Sequence, residues 1–235
     1  MKQYFWDGDS QDEDCADTAT CQSFRNQFLL RFEAKHIKEK GDKTSTTVAG
    51  LLVKNVDIDT LEARLRGYSK GFSVRSANKA RSKGFTVAEF EWNDFLQDIF
   101  EINTSLSERN GKPMSPSYLR LPHELRNRGK AEANPCRFHW IKNFGVFSED
   151  GKLVAYVRLK RQTDFLIYTT ILGHGEYLIE GVMYLLHHEI LAFVALQKDL
   201  RDCLLVYSAF NSGGDGLKQW KRRGLFEEFS IEKKK

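Results

Sequence analysis

Cysteine and proline are scarce in this chain of 235 residues, with four of each. Four irregularly spaced cysteines are too few for a disulfide framework, so we expect reduced thiols. The longest apolar run, residues 181–196, is interrupted by His187, His188 and Glu189 and is too short to cross a bilayer. The amino terminus carries acidic residues where a signal peptide would carry basic and then apolar ones. We therefore expect a cytoplasmic protein with no membrane partner.

Apolar residues make up 41% of the chain, and the formal net charge is +4. This composition supports one sizeable core and excludes fibrous and wholly disordered proteins. We divide the chain into an acidic, flexible lead-in (residues 1–22) and a single domain (residues 23–235). The first half of that domain, residues 23–135, holds a basic helix and a proline-containing arm. The second half spans residues 136–235.

The first half begins with two apolar segments, residues 28–32 and 48–53, which predict an N-terminal β-hairpin extension. Residues 64–83 carry seven basic side chains and no acidic one. A helix from Ser73 to about Lys83, ended by Gly84, would repeat basic residues along one face. Such a face is either solvated or meets an anionic partner. A helix over 94–109 and an irregular arm over 112–135, which holds all four prolines, complete this half.

The second half alternates strand and helix patterns in the order β-β-β-α-β-α-β. Three strands with period-two alternation are followed by a glycine turn at 173–175, and a second glycine turn separates the last strand pair from its helix. The predicted strands are 139–147, 152–161, 164–172, 203–210 and 226–231, and the predicted helices are 177–197 and 217–223.

This order resembles the GNAT acyltransferase fold, and four segments are similar to its FemAB-like branch of aminoacyl transferases. They read RSANKARSKGFTV (75–87), FEINTSLSERNG (100–111), DGKLVA (150–155) and GLKQWKRRGL (216–225). The resemblance covers roughly residues 60–232. It implies an α+β fold in which a GNAT-like mixed sheet with splayed central strands is flanked by helices. It also implies that residues 136–235 form the acyl-donor half.

One segment departs from the family pattern. Most GNAT enzymes carry R/Q-x-x-G-x-G/A between the central strand and helix, where backbone N–H groups hold the coenzyme A pyrophosphate. Here the stretch reads Gly173-His174-Gly175-Glu176-Tyr177. The Glu176 charge suits a helix N-terminus but would repel a phosphate there. We therefore expect no tightly bound cofactor, with aminoacyl-tRNA or acyl-CoA as the donor.

The resemblance implies transfer of an acyl or aminoacyl group to an amine by direct attack in a ternary complex, for which no catalytic triad is needed. Glu176 and His174 are candidate proton acceptors, and Tyr207 is a candidate proton donor. Lys221 matches the lysine of the family's terminal motif, and the resemblance implies a catalytic position for it near the donor carbonyl or phosphates. The alternatives are a structural His174 in a glycine turn and, for Lys221, a surface helix anchored by Trp220. Candidate substrate-binding residues are Ser208, Asn211, Lys218, Arg222 and Arg223.

A nucleic-acid substrate would need cations for its phosphates. The acceptor can be a peptide, a protein, a small amine or a modified base in a DNA modification pathway, and the sequence does not choose among them. The competing hypothesis is a non-enzymatic nucleic-acid-binding protein with a degenerate GNAT fold. The candidate phosphate-binding residues are Arg75, Lys79, Lys83, Arg120, Arg126 and Arg128.

Metal binding is not predicted. Cys136 and His139 form a lone C-x-x-H, but a tetrahedral zinc site requires four ligands, and no second pair stands at finger-like spacing. The triplet His187-His188-Glu189 lacks the i, i+4 histidine pair of a zinc helix, so we assign it to the helix surface.

Overall fold

The computed structural model describes residues 2–6, 15, 19, 21–23, 47–109, 111–126 and 136–233. The strands are β1 (Lys2–Trp6), β2 (Val48–Leu52), β3 (Thr86–Glu89), β4 (Glu108–Arg109), β5 (Lys112–Pro113), β6 (His139–Phe147), β7 (Leu153–Gln162), β8 (Phe165–Gly173), β9 (Leu204–Ala209) and β10 (Glu227–Lys233). The helices are α1 (Ile58–Gly67), α2 (Phe72–Ser82), α3 (Leu96–Thr104), α4 (Pro122–Leu125), α5 (Val182–Leu196) and α6 (Asp215–Arg223).

Eight of these strands form one mixed sheet in the order β1-β10-β2-β9-β8-β7-β6-β3. Strands β6, β7 and β8 form an antiparallel meander, and β8 then pairs with β9 in parallel. A parallel pair needs a long crossover connection, and the segment that contains α5 provides it. The predicted α+β mixed sheet flanked by helices is confirmed, and so is the predicted order of elements after residue 136.

Helices cover both faces of the sheet because the strands of its centre are apolar on both sides. On one face, Val157 and Leu159 of β7 share a buried cluster with Leu186 and Ile190 of α5. On the other face, Tyr156 of β7 belongs to the cluster that α3 contributes to. The central strands are therefore held rigidly between two helical layers. Within the described residues, no helix is both long enough and apolar enough to span a membrane.

Strand β2 differs from its prediction as part of a hairpin extension. It lies inside the main sheet, antiparallel to both β9 and β10. Its residues are apolar throughout and almost all buried, which suits an interior strand rather than a half-exposed hairpin. The other predicted strand, residues 28–32, lies outside the described residues.

The amino terminus also differs from its prediction as a flexible lead-in. Residues 2–6 form the edge strand β1, which pairs in parallel with β10 over five residues. The Tyr4 ring packs edge-on against the Phe165 ring, with their centroids 5.4 Å apart. Strand β1 thus covers an edge of β10 that would otherwise leave backbone groups unpaired. The acidic residues that suggested disorder follow this strand.

Glycines with positive φ set where the α2 region ends and where α5 begins. Ser73 is not a cap but is fully buried inside α2, while Gly84 ends that helix region with φ of +77°, as predicted. The helix predicted over 177–197 starts later, because residues Gly175–Glu180 form a 3₁₀ helix and Gly181 has φ of +87°. A β-carbon at Gly181 would stand 2.2 Å from the Ser76 carbonyl oxygen, so α2 and α5 approach closely there.

Candidate functional site

The central strands separate at the middle of the sheet. Strands β8 and β9 pair only at three positions, the last being Ile167 with Val206. Beyond that point β8 continues to Gly173 without β9 as its neighbour. The predicted splay of the central strands is therefore confirmed.

A β-bulge on each strand accompanies the separation. In β8, Tyr168 pairs with Leu159 and Thr170 pairs with Arg158, which leaves Thr169 as the extra residue. In β9, the register against β2 shifts by one residue at Ser208, whose φ is +44°. Bulges bend a strand and increase its local twist, so the two bulges explain why β8 and β9 diverge. A positive φ at serine is strained, and such strain concentrates at functional sites.

A cleft of about 320 Å³ lies at the open end of this gap. Most of its wall is apolar, and its polar side chains are Glu108, Arg109 and Tyr207. A small, mostly apolar cleft with a few polar groups is typical of a site for a small reacting group. The apolar wall includes Leu106, Ile171, Leu172, Leu178, Met183 and Leu217.

Tyr207 is the one predicted catalytic residue that lines the cleft. It lies at the exit of β9, and its ring packs against the Trp220 ring with centroids 5.6 Å apart. Burial raises the pKa of Tyr207 to about 12, with a smaller contribution from the nearby Tyr118. The hydroxyl is thus protonated at neutral pH and can donate a proton or a hydrogen bond.

Arg109 is a cleft residue that the sequence analysis did not select. Its Nη2 donates to the carbonyl oxygens of Ile102 at 3.1 Å and Gly173 at 2.9 Å. Burial lowers the pKa of this guanidinium, although arginine remains charged in proteins. Arg109 therefore ties the end of α3 to the end of β8 and places a positive charge in the cleft wall. The signal available from sequence was the R-x-G at the end of the helix predicted over 94–109, although α3 ends at Thr104 and Arg109 lies in β4.

The predicted proton acceptors His174 and Glu176 lie beside the cleft but do not line it. The chain turns into the 3₁₀ helix directly after β8, and the His174 Nδ1 accepts from the Glu176 N–H at 3.4 Å. His174 therefore caps this helix, which is the structural alternative considered above. The Glu176 side chain is 81% exposed and faces solvent. The structure therefore does not place either group where it could take a proton from a substrate in the cleft.

The same turn does not fit the pyrophosphate of coenzyme A. The N–H of His174 donates to the Val154 carbonyl at 2.8 Å, and that of Gly175 donates to Ser105 Oγ at 2.9 Å. A β-carbon at Gly173 would stand 2.6 Å from Met183 Sδ, so side chains fill the space above the glycine. A phosphate cradle needs backbone N–H groups that point outward into open space. These N–H groups are already bound within the chain.

Lys221 is buried and binds the loop that follows β9. Its Nζ donates to the carbonyl oxygens of Ala209, Phe210 and Ser212 at 2.6, 3.2 and 2.9 Å. Burial, followed by the charge of Lys218, lowers the pKa of Lys221 to about 8. The prediction that this ammonium reaches the donor carbonyl or phosphates is not supported, because the loop carbonyls surround it. Lys221 instead positions the loop between β9 and α6.

None of the predicted substrate-binding residues lines the cleft. Ser208 occupies the β9 bulge, and Asn211 donates to Glu228 Oε1 at 3.3 Å. Lys218 lies 3.6 Å from Asp215 on the exposed side of α6, and Arg222 is exposed. The Arg223 guanidinium stacks 4.0 Å above the Phe72 ring.

The basic face of α2 meets acidic groups of the same chain. Lys79 and Lys83 contact one carboxylate oxygen of Glu180, at 3.1 and 2.6 Å. Arg81 pairs with Glu189 at 2.7 Å. The anionic partner predicted for this face is thus internal, because the 3₁₀ helix and α5 fold back onto α2. These contacts occupy two of the predicted phosphate-binding lysines.

The remaining predicted phosphate-binding residues belong to α2 and to the proline-containing arm. Arg75 donates to the Lys70 carbonyl at the start of the same helix region. Arg120 and Arg126 are exposed on the proline-containing arm, and Arg128 lies outside the described residues.

The histidine pair of α5 is buried rather than on the helix surface. The Tyr168 hydroxyl lies 2.9 Å from His187 Nδ1, and His187 Nε2 lies 2.9 Å from the Gly224 carbonyl oxygen. A carbonyl only accepts, so Nε2 carries the proton and Nδ1 accepts from the tyrosine. Burial lowers the pKa of His187 to about 4, and burial together with His187 lowers that of His188 to about 3. The neutral His187 links β8 to the end of α6 behind the cleft.

The structure also changes the assessment of Cys136 and His139. Cys15 and Cys21 lie beside them, and the four potential ligand atoms are all within 4.8 Å of one another. The second ligand pair that the sequence spacing did not reveal comes from the amino-terminal segment, more than 100 residues away.

No family model matches this sequence, and a search of curated proteins finds no relative. Solved structures do resemble it. A conserved protein of unknown function from Bacteroides thetaiotaomicron is 12% identical, with a TM-score of 0.53, and the match covers 84% of this chain and 65% of that one. The structure of L-PGS from Bacillus licheniformis is 11% identical, with a TM-score of 0.50, and the match covers 78% of this chain and 57% of that one.

A tandem GNAT protein from the clavulanic acid biosynthesis pathway is 12% identical, with a TM-score of 0.46. That match covers 62% of this chain and 43% of the other. The chain thus spans less than two thirds of the length of these three structures. At such identities the likeness concerns the fold alone.

Proposed function

We propose that this protein is an acyl or aminoacyl transferase that joins a carbonyl group to an amine in the cleft between β8 and β9. The observation that carries this proposal is the bulged, splayed strand pair, whose open end holds a cleft of about 320 Å³ lined by Tyr207 and Arg109. Bringing two reactants together in attack geometry can contribute about 7 to 11 kcal/mol, so a cleft of this kind needs few catalytic groups.

The polar residues of the cleft suit the steps of acyl transfer. The amine nitrogen attacks the carbonyl carbon, a C–N bond forms, and the bond to the leaving group then breaks. Arg109 supplies positive charge near the oxyanion that develops. Glu108 accepts the proton that the attacking amine loses, and Tyr207 donates a proton to the departing oxygen. Protons then return from Glu108 to Tyr207 through solvent, so the enzyme ends in its starting state.

An aminoacyl ester of tRNA is the donor that we favour, as in the FemAB-like branch. The reason is the Gly173–Gly175 turn, whose N–H groups bind within the chain instead of facing a pyrophosphate. An aminoacyl ester needs only its amino acid and terminal ribose at the cleft. The acceptor class remains open among peptides, proteins, small amines and amino groups of modified DNA bases.

The competing hypothesis is a nucleic-acid-binding protein without catalytic activity. It depends on the cations of α2, yet Lys79 and Lys83 are both paired with Glu180. These ion pairs count against phosphate binding by α2, whether the nucleic acid is a substrate or only a ligand.

The test is to incubate the protein with charged tRNA or with acetyl-CoA, each together with a panel of peptide, small-amine and nucleic-acid acceptors. Products are detected as mass shifts. We expect product from charged tRNA, and Tyr207→Phe should lower the turnover by about 100-fold or more. Tyr177→Phe is the matched control, because Tyr177 is half-buried outside the cleft.

Three results would decide against parts of this proposal. Product from acetyl-CoA alone would reverse the choice of donor. Unchanged turnover in Tyr207→Phe would remove the proton donor. Tight, salt-dependent nucleic-acid binding with no product from either donor would support the non-catalytic hypothesis.

A further inference from the structure

Three thiols and one imidazole meet at the beginning of β6. They belong to Cys15, Cys21, Cys136 and His139. His139 pairs with Gln162 at the end of β7, whereas the cleft lies beyond Ile167 toward the far end of β8. The cluster is therefore at the opposite end of the central strands from the cleft.

Four of the six distances between the potential ligand atoms match a tetrahedral metal site, and the other two are within 4.8 Å. Cys136 Sγ lies 3.8 Å from Cys15 Sγ and 3.7 Å from Cys21 Sγ. His139 Nδ1 lies 3.3 Å from Cys136 Sγ and 3.6 Å from Cys15 Sγ. Zinc bonds of about 2.3 Å to sulfur and about 2.05 Å to nitrogen, at tetrahedral angles, place two sulfurs about 3.8 Å apart and sulfur and nitrogen about 3.6 Å apart. These contacts agree with that geometry to within about 0.3 Å.

A disulfide does not explain the cluster. Bonded sulfurs are about 2.05 Å apart, and the cysteine sulfurs here are separated by 3.7 Å and 3.8 Å. Cys136 is close to both Cys15 and Cys21 but could form a disulfide with only one of them. Such a disulfide would leave the other cysteine and His139 unexplained. A set of three thiolates and one imidazole is a familiar closed ligand set for structural zinc, with no position left for water.

The surrounding structure fixes the Cys136–His139 pair before any metal binds. The His139 N–H donates to the Cys136 carbonyl at 3.1 Å and closes a tight turn. Arg161, whose side chain is 3% exposed, donates to the Arg137 carbonyl at 2.7 Å and pairs with Asp199. This buried arginine holds the turn against the end of β7. Half of the ligand set is thus positioned by the sheet, which lowers the entropy cost of binding.

We propose that Cys15, Cys21, Cys136 and His139 form a structural zinc site that fastens the amino-terminal segment to the sheet. Zn²⁺ is favoured because thiolate and imidazole ligands in tetrahedral geometry suit it better than magnesium or calcium, which prefer oxygen. The site joins segments that are 115 to 124 residues apart. Its role is to hold the chain in place, because all four ligands come from the protein and the cleft is elsewhere.

The first test measures metal content. The full chain is produced in zinc-supplemented medium, and zinc is quantified by inductively coupled plasma mass spectrometry. We expect about one zinc ion per chain, and Co²⁺ substitution should give the absorption of a tetrahedral thiolate complex. Cys15→Ser and Cys136→Ser should each reduce the zinc to less than about a tenth of an ion per chain. Cys203→Ser is the matched control, because that thiol is buried at the start of β9.

The second test uses the unmodified protein and so does not depend on variants that fold. Zinc is removed with a chelator, and alkylation of each cysteine is followed by peptide mass spectrometry with and without added zinc. We expect zinc to protect Cys15, Cys21 and Cys136 and to leave the reaction of Cys203 unchanged. Absence of zinc from the purified chain together with no zinc-dependent protection would overturn the proposal. Equal zinc in Cys136→Ser and the unmodified protein, or a disulfide within the cluster, would overturn it too.

Discussion

Replacing Lys221 with methionine should destabilise the protein rather than abolish only its chemistry. The ammonium donates to three carbonyl oxygens of the loop after β9. Lys221→Met keeps the length of the side chain and removes these donors. The loop carbonyls would then lose a charged partner. The Lys221 side chain is buried, but the loop residues are half-buried or exposed.

The magnitude follows from those three contacts. A carbonyl left unpaired costs about 1 kcal/mol when water can still reach part of the loop. Burial of the charge, which lowers the pKa of Lys221 to about 8, offsets part of the gain in the unmodified protein. We therefore expect a loss of about 2 to 3 kcal/mol in the free energy of unfolding. For a domain of this size, that corresponds to a melting temperature lower by about 5 to 10 °C.

The assay is thermal unfolding followed by circular dichroism, with transfer activity measured on the same samples at a temperature where both proteins are folded. Lys218→Met is the control, because Lys218 lies on the same helix and contacts an exposed carboxylate at 3.6 Å. It should shift the melting temperature by less than about 2 °C. A Lys221→Met protein that melts like the unmodified one but has lost turnover would refute the positioning role and restore a catalytic one.

Three further predictions concern His187, Gly181 and Ser208. Because the pKa of His187 falls from 6.5 to about 4, the unfolded chain binds a proton between these values that the folded chain does not, and this histidine alone should lower the free energy of unfolding by about 3 kcal/mol from pH 7 to pH 4. In denaturant titrations His187→Gln should lack this part of the loss, whereas the exposed His123→Gln should retain it; an equal loss in both contradicts the assignment. Gly181→Ala should lower the free energy of unfolding by about 2 kcal/mol or more, because the φ of Gly181 is +87°. As the control, Gly216→Ala lies in open space within α6 and should stabilise the protein by about 0.5 to 1 kcal/mol. Equal melting temperatures for the two variants would refute the role of Gly181. Ser208→Gly should leave the melting temperature unchanged or raise it, because it relieves a left-handed serine, and a clear decrease would argue against a strained bulge.

The sequence predicted the sheet's second half well because the relevant signals are local. Strand β6 has the predicted bounds, and β7 and β8 differ by a residue at each end. Alternation of apolar residues and glycine turns depends on side chains a few residues apart, which sequence displays directly. The start of α5 was missed because Gly181 adopts a left-handed conformation that supports close packing on α2.

The candidate site was predicted less well, because its geometry depends on residues from distant segments. Tyr207 was identified, whereas Arg109 reaches the cleft only because α3 packs against the end of β8. Lys221 was placed on the correct helix, but sequence cannot show that three loop carbonyls surround its ammonium. Likewise, sequence cannot show that Glu180, far along the chain, pairs with both Lys79 and Lys83.

The sequence by itself determined the order of strands and helices, the apolar faces that form the core and the resemblance to an acyltransferase fold. Only the tertiary structure decided where β8 and β9 part, because each bulge depends on the register against a neighbouring strand. It alone brought Cys15 and Cys21 to Cys136 and His139. These contacts depend on the packing of segments that are more than 100 residues apart in the chain. A local sequence pattern does not indicate which distant segments will pack together.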